Sequence, residues 1–100
     1  MDIRSLDLNL LVVFDAMLHH QNVTKAAEAI KLSQPAMSAA ISRLRTLFDD
    51  PLFVRTKAGM EPTPKAKALS PSVRLVVQTI QTDILLPKKF TPASSERTFT

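Results

Sequence analysis

Residues 33–48 read SQPAMSAAISRLRTLF, and their pattern decides the fold. Ser33 can cap a helix, and Pro35 falls in the first turn, where a missing N–H removes no hydrogen bond. Met37, Ala40, Ile41, Leu44, Leu47 and Phe48 recur at the spacing of one buried helical stripe. The opposite face carries Ser38, Ser42 and Arg45, with Ala39, Arg43 and Thr46 beside it. Asp49-Asp50-Pro51 ends the helix, which is predicted over 34–48.

Upstream, Asp7 caps a first helix predicted over 8–20, with Leu8, Leu11, Val12, Phe14 and Leu18 as its core face. After a short connection at Asn22 and Val23, Thr24 is the expected cap of a second helix over 25–31. Ala26, Ala27 and Ile30 give that helix a small-residue inner surface, so another helix can approach closely, and Leu32 anchors the turn that follows. Downstream, Leu52-Phe53-Val54-Arg55 alternates and is β-prone, which predicts a strand. Thr56-Lys57-Ala58-Gly59 is the turn, with the only glycine of the chain where positive φ is wanted. Met60-Glu61 is a brief return strand ended by Pro62.

Thr63-Pro64 then opens a long helix, predicted to reach Leu86. Pro71 either kinks it or starts a separate helix at Ser70-Pro71; a single kinked helix is the preferred reading. Leu69, Val73, Val76 and Ile80 are spaced like a heptad seam, widened by Val77 and Ile84, and are the expected dimerisation residues. PKKFTPASSE (87–96) reads as a linker. Arg97-Thr98-Phe99-Thr100 alternates like a strand just beginning, so the chain is expected to continue into a further domain. The fold class is thus mainly α: a three-helix core with a short β-hairpin wing over 6–63, a linker helix over 64–86, and a hinge over 87–100.

At 100 residues with 45% hydrophobic residues the chain holds about one small core. There is no cysteine, which excludes disulfides, thiolate metal sites and a cysteine nucleophile and fits a reducing cytoplasm. The first residues hold Asp2 and Asp7 and no small-residue cleavage site, and the apolar run Leu10–Phe14 is far too short to span a membrane. The net charge is +4. All of it lies between Thr24 and Lys67, where Lys25, Lys31, Arg43, Arg45, Arg55, Lys57, Lys65 and Lys67 face only Glu28, Asp49, Asp50 and Glu61. Such a basic middle is either a polyanion-facing surface or an ordinary solvated one.

Two short helices, a tight turn and a third helix with a polar leading face form a helix-turn-helix signature, and a major groove is wide enough to admit that third helix. Its N-terminal N–H groups and positive dipole end suit phosphate. Gln34 carries an amide that can pair with the N6/N7 edge of adenine. Ser38 is short enough to approach a base edge or phosphate, and Ala39 can touch a thymine methyl. Arg43 and Arg45 are long enough for phosphate or guanine. Arg55 and Lys57 on the hairpin suit phosphate or the minor groove, and Thr24, Lys25 and Thr63 stand at helix starts that can meet the backbone. A three-helix core with a hairpin also serves protein-interaction modules, which stay open as the alternative. No metal site is expected: His19 and His20 point about 100° apart on a helix. No Ser/His/Asp arrangement or glycine-rich phosphate loop is present, so an enzyme is not expected.

TKAAEAIKLSQPAMSAAISRLRTLF (24–48) closely resembles the helix-turn-helix of LysR-type transcriptional regulators, and DPLFVR (50–55) and GMEPTP (59–64) resemble that family's wing and the start of its linker helix. LDLNLLVVFDA (6–16) and SERTFT (95–100) look like the branch of nodulation and aromatic-catabolism regulators. The resemblance implies a cytoplasmic bacterial regulator that binds double-stranded DNA at an interrupted inverted repeat, as a homodimer through the linker helix and as a tetramer at full length. It also implies a C-terminal domain outside this chain that takes a small-molecule inducer, no cofactor within the chain itself, and RNA polymerase as a candidate partner. Ser33, Gln34, Pro35 and Ser38 match the groove-reading start of the recognition helix, and Arg55 matches the wing arginine; Ala39, Ser42 and Arg43, further along the same helix, are expected DNA contacts as well. Many members carry arginine where Ala39 stands, and Pro71 is unusual for the family.

Overall fold

Helix α1 (Leu8–His20) begins at Asp7, whose carboxylate accepts the amide of Asn9 at 2.9 Å. The computed structural model describes residues 2–85, and α1 is its centre, packed against α2, α3, α4 and the second strand. The buried row is Leu10, Leu11, Val13, Phe14, Ala16 and Met17. This corrects the expected face: Leu8 and Val12 are exposed. Leu10, Val13, Phe14 and Met17 form an unbroken i, i+3, i+4, i+7 row, and that row meets the neighbouring helices on several sides.

Helix α2 covers Val23–Ala29 and is capped by Asn22, whose Oδ1 accepts the Lys25 amide at 2.8 Å. The expected start at Lys25 with Thr24 as cap is therefore wrong by two residues, because the asparagine side chain, two positions earlier, caps the free amide of Lys25 and lets the helix begin at Val23. Ala26 and Ala27 are buried and Ile30 half-buried, as the sequence suggested. The helix ends at Ala29, two residues short of the expected end, and Lys31 just beyond it is left-handed (φ 58°). There the amide of Leu32 bonds the Ala27 carbonyl at 2.9 Å and that of Lys31 bonds the Glu28 carbonyl, the paired closure that usually uses glycine.

Helix α3 (Gln34–Phe48) has the predicted bounds, with Ser33 Oγ accepting the Ala36 amide. Its inner stripe is Met37, Ile41 and Leu44, flanked by the half-buried Ala40, Leu47 and Phe48. Asp49, left-handed at φ 53°, ends it. Strands β1 (Phe53–Thr56) and β2 (Gly59–Pro62) pair antiparallel, from Phe53 opposite Pro62 to Thr56 opposite Gly59. Leu52 does not belong to the strand: it is left-handed (φ 64°) and fully buried, so it turns the chain into the core before pairing starts. Pro62 does belong, at the end of the ladder, where a missing N–H is tolerated.

Helix α4 runs Pro64–Thr79 without interruption at Pro71, as the single-helix reading expected, is capped by Thr63, and continues as a wider, π-type coil over Ile80–Leu85. Leu86 and the expected hinge at 87–100 lie outside the described residues. Among the described residues no helix is long and apolar enough to cross a membrane.

Phe14 sits at the middle of the core, its ring edge-on to Phe48 at 5.9 Å and to Phe53 at 5.6 Å. It thereby joins α1 to the end of α3 and the start of the wing. Each such buried side chain contributes on the order of 1.5–3 kcal/mol. The core also takes residues expected in the dimer seam: Val73 and Val77 are 5% and 6% exposed and lie in the cluster with α1. Leu69 and Ile80 are half-buried, while Val76 and Ile84 are exposed together with Leu75 and Leu85. The heptad spacing marks the inner face of α4 as much as an outer one, since both repeat every three to four residues.

Candidate nucleic-acid interface

The leading turn of α3 faces outward. Ser33, Gln34, Pro35, Ser38, Ala39 and Ser42 are all exposed. They stand opposite Met37, Ile41 and Leu44, so burying the stripe forces them into solvent. Gln34 and Thr24, ten positions apart, meet here: Gln34 Nε2 donates to Thr24 Oγ1 at 2.6 Å. The amide thus keeps its Oε1 and its second N–H free, the pair of groups an adenine edge needs. Because Asn22 does the capping, the Thr24 hydroxyl hydrogen remains free for an anion. Lys25 is exposed beside it on the first turn of α2.

One flank of α3 is a cleft against the wing, lined by Ser38, Ile41, Arg45, Val54 and Arg55 among others. Arg55 is exposed on β1, and Lys57 is exposed at the hairpin turn. That turn is held by Thr56, which donates to the Gly59 carbonyl and accepts the Ala58 amide, each at 3.1 Å. On the other flank Arg43 pairs with Asp7 at 3.6 Å. Arg43 is exposed and Asp7 only half-buried, and such a surface pair costs little to open, so Arg43 remains available to a phosphate.

Arg45 does not. Its Nε donates to the Pro51 carbonyl at 2.9 Å and its Nη2 to the Phe53 carbonyl at 3.1 Å, so this side chain, though long enough for phosphate or guanine, is engaged within the chain. The chain leaving α3 runs back alongside Arg45 and offers two carbonyls in the spacing of the guanidinium fork. Thr63 is likewise engaged within the chain: it is half-buried, accepts the Ala66 amide at 3.2 Å and donates to Asp50 Oδ2 at 2.7 Å. Asp50 also accepts the Leu52 amide at 2.8 Å. The Thr63 hydroxyl and then the Leu52 amide hold the Asp50 carboxyl below its ordinary value, with nearby Lys65 adding to the effect. A carboxylate so placed makes the start of α4 a poor phosphate site.

Sequence reasoning missed Asn22, Arg45 and Asp50 as structural polar residues. Asn22 was legible, since an asparagine two to three positions before free helical amides is a cap signal. The other two form bonds across the wing that no local pattern announces.

The pattern that defines the bacterial regulatory helix-turn-helix proteins of the lysR family matches residues 8–67. The chain belongs to the LysR family. Within it, Nodulation protein D 1 of Rhizobium leguminosarum bv. phaseoli is 50% identical over 99 residues, which is 99% of this chain and 32% of that protein. The chain therefore spans about a third of the length of the curated LysR relatives it matches. A crystal structure of a probable transcriptional regulator from Pseudomonas aeruginosa is similar with a TM-score of 0.76 and 43% identity, over 79% of this chain and 26% of that one. The BenM DNA-binding domain in complex with catB site 1 DNA has a TM-score of 0.70 at 24% identity, over 76% of this chain and 85% of that one, a likeness of fold.

Proposed function

We propose that the chain is a sequence-specific, double-stranded DNA-binding unit of a transcription regulator. Helix α3 enters the major groove, and the wing lies on the flanking backbone or minor groove. Two copies joined through α4 read an interrupted inverted repeat. The observation that carries this reading is the exposed start of α3, where Gln34 is held by Thr24 with its base-pairing edge free. The fold shared with a DNA-bound domain and the family membership support it.

In this reading Ser33, Gln34, Pro35, Ser38, Ala39 and Ser42 face the groove, and Gln34 and Ser38 are the polar readers among them. Thr24, Lys25 and Arg43 serve the phosphates beside α3, and Arg55 and Lys57 serve those beside the wing. Thr63 is left to its cap. The exposed Leu75, Val76, Ile84 and Leu85 supply the apolar face of the homodimer. The inducer pocket, the tetramer contacts and any contact with RNA polymerase belong to the full-length regulator.

Selection of bound sites from a random duplex library tests the proposal. It should return two related half-sites in inverted orientation, with log–log salt dependence near −0.9 per phosphate neutralised. Gln34→Ala should lose about 1–3 kcal/mol at one base pair of each half-site and little elsewhere. No enrichment, or equal weakening on every sequence by Gln34→Ala, overturns the assignment.

A further inference from the structure

Helix α3 ends at Phe48 and α4 begins at Pro64. The hairpin between them is closed at its base by polar ties. Asp50 Oδ2 accepts both the Leu52 amide (2.8 Å) and the Thr63 hydroxyl (2.7 Å). The Thr63 amide bonds the Leu52 carbonyl at 2.9 Å. Lys65 Nζ crosses to the Phe48 carbonyl at 2.8 Å, and Arg45 holds the carbonyls of Pro51 and Phe53. Leu52 is meanwhile kept left-handed and fully buried, a backbone state a leucine enters only when its surroundings impose it. The direct route from α3 to α4 is therefore this joint, and the hairpin strands hang outside it.

We infer that Asp50 is a positioning residue: by tying the end of α3 to the start of α4 it sets the separation of the two half-sites a dimer accepts. The inference rests on the proposed reading of α3 as groove-bound and α4 as the dimer helix. The geometry gives it leverage. The regular part of α4, 16 residues, is a lever of about 24 Å at 1.5 Å per residue. A rotation of roughly 10° at its base moves the far end by about 4 Å, close to the ~3.4 Å step of one base pair. Farther along, Val73 and Val77 and the Arg74–Asp15 pair at 3.8 Å hold α4 to α1. The joint at its first turn thus fixes orientation where a small change matters most. Asp50 meets this need because one oxygen takes two donors, from Leu52 just before the hairpin and from Thr63 just after it.

The test measures binding of this chain to duplexes carrying two identical half-sites at every spacing across one helical turn, with light scattering to confirm the dimer. The parent should weaken about tenfold for one base pair of mis-spacing, whereas Asp50→Ala should weaken only about two- to threefold, its base preference inside each half-site unchanged. Thr63→Val removes the hydroxyl that ties to Asp50, together with its cap on the Ala66 amide, and should broaden the profile in the same way, whereas Thr63→Ser keeps a hydroxyl for both bonds and should keep the narrow one, so the inference remains testable if Asp50→Ala does not fold. If both variants melt earlier but keep the parental spacing profile, the joint is merely structural and the inference fails. A parent that binds half-sites with base preference but no preferred spacing overturns the inference and the dimer reading together. Loss of base preference in the parent itself sinks the DNA reading of α3.

Discussion

Gly59 lies against the carbonyl of Gln21 so closely that a β-carbon on it would stand 2.8 Å from that oxygen. Next to it the Met60 amide donates to the same carbonyl at 3.0 Å. Gln21 is the left-handed residue that ends α1, so the wing is pinned to the last turn of the central helix at the one position without a side chain. Its φ of 119° is also one that other residues rarely adopt. Gly59→Ala should therefore cost about 2–3 kcal/mol, through backbone strain and the lost Met60 bond. Thermal denaturation should show a fall of roughly 10 °C or more for a domain this size. An unchanged Tm would mean the wing does not dock on α1.

Arg45 should behave as a strut, not a DNA contact. Arg45→Met keeps the apolar stem and strips two charge-assisted bonds to wing carbonyls. One of the two bonds is exposed and the other part-buried, so the expected loss is about 1–2 kcal/mol of stability. The salt dependence of DNA binding should keep its slope, since no phosphate contact disappears. A slope reduced by about one would return Arg45 to the interface.

The carboxyl of Asp50 predicts an acid-sensitive component of stability. Its folded-state value lies below the ordinary 3.8 because the Thr63 hydroxyl and the Leu52 amide donate to the charged form. Stability from those bonds is complete above the unfolded value and is lost as pH falls through the folded one. Urea unfolding should therefore show a loss below about pH 4 that is absent from Asp50→Asn. Should the two proteins lose stability in parallel from pH 6 to pH 2, Asp50 is not the group responsible.

The parts of this architecture that were legible in the sequence are those set by local rules. Ser33, Pro35 and the stripe from Met37 to Phe48 fixed α3 to the residue, because cap chemistry and helical period act within a few positions. Asn22 was overlooked because Asn22 and Thr24 are both good caps, and only the bonds from Lys25 to the Asn22 side-chain oxygen and from Gln34 to the Thr24 hydroxyl show which of them caps. The core face of α1 was misjudged because Leu8-Asn9-Leu10-Leu11-Val12-Val13-Phe14 is apolar nearly all round, so periodicity alone does not choose a face. The neighbours choose it, by placing helices against Leu10, Val13, Phe14 and Met17. Arg45 and Asp50 act on partners reached through the turn after α3, a geometry that residue spacing does not encode.

Valine positions on α4 separate folding from association. Val73 is 5% exposed in the core against α1, whereas Val76 is 39% exposed beside Leu75 on the outer face. An aspartate at 73 would bury an unpaired charge, which a domain of this size does not tolerate. An aspartate at 76 meets water in the single chain and is expected to change its stability by no more than about 0.5 kcal/mol. Across a dimer seam that same aspartate would face its own copy, adding desolvation and like-charge repulsion at the centre of the contact. Val76→Asp should thus give a folded monomer by light scattering with its helical circular dichroism intact, and Val73→Asp an unfolded chain. A folded dimer from Val76→Asp would place the contact on another surface, and a folded Val73→Asp would show that α4 does not pack on α1.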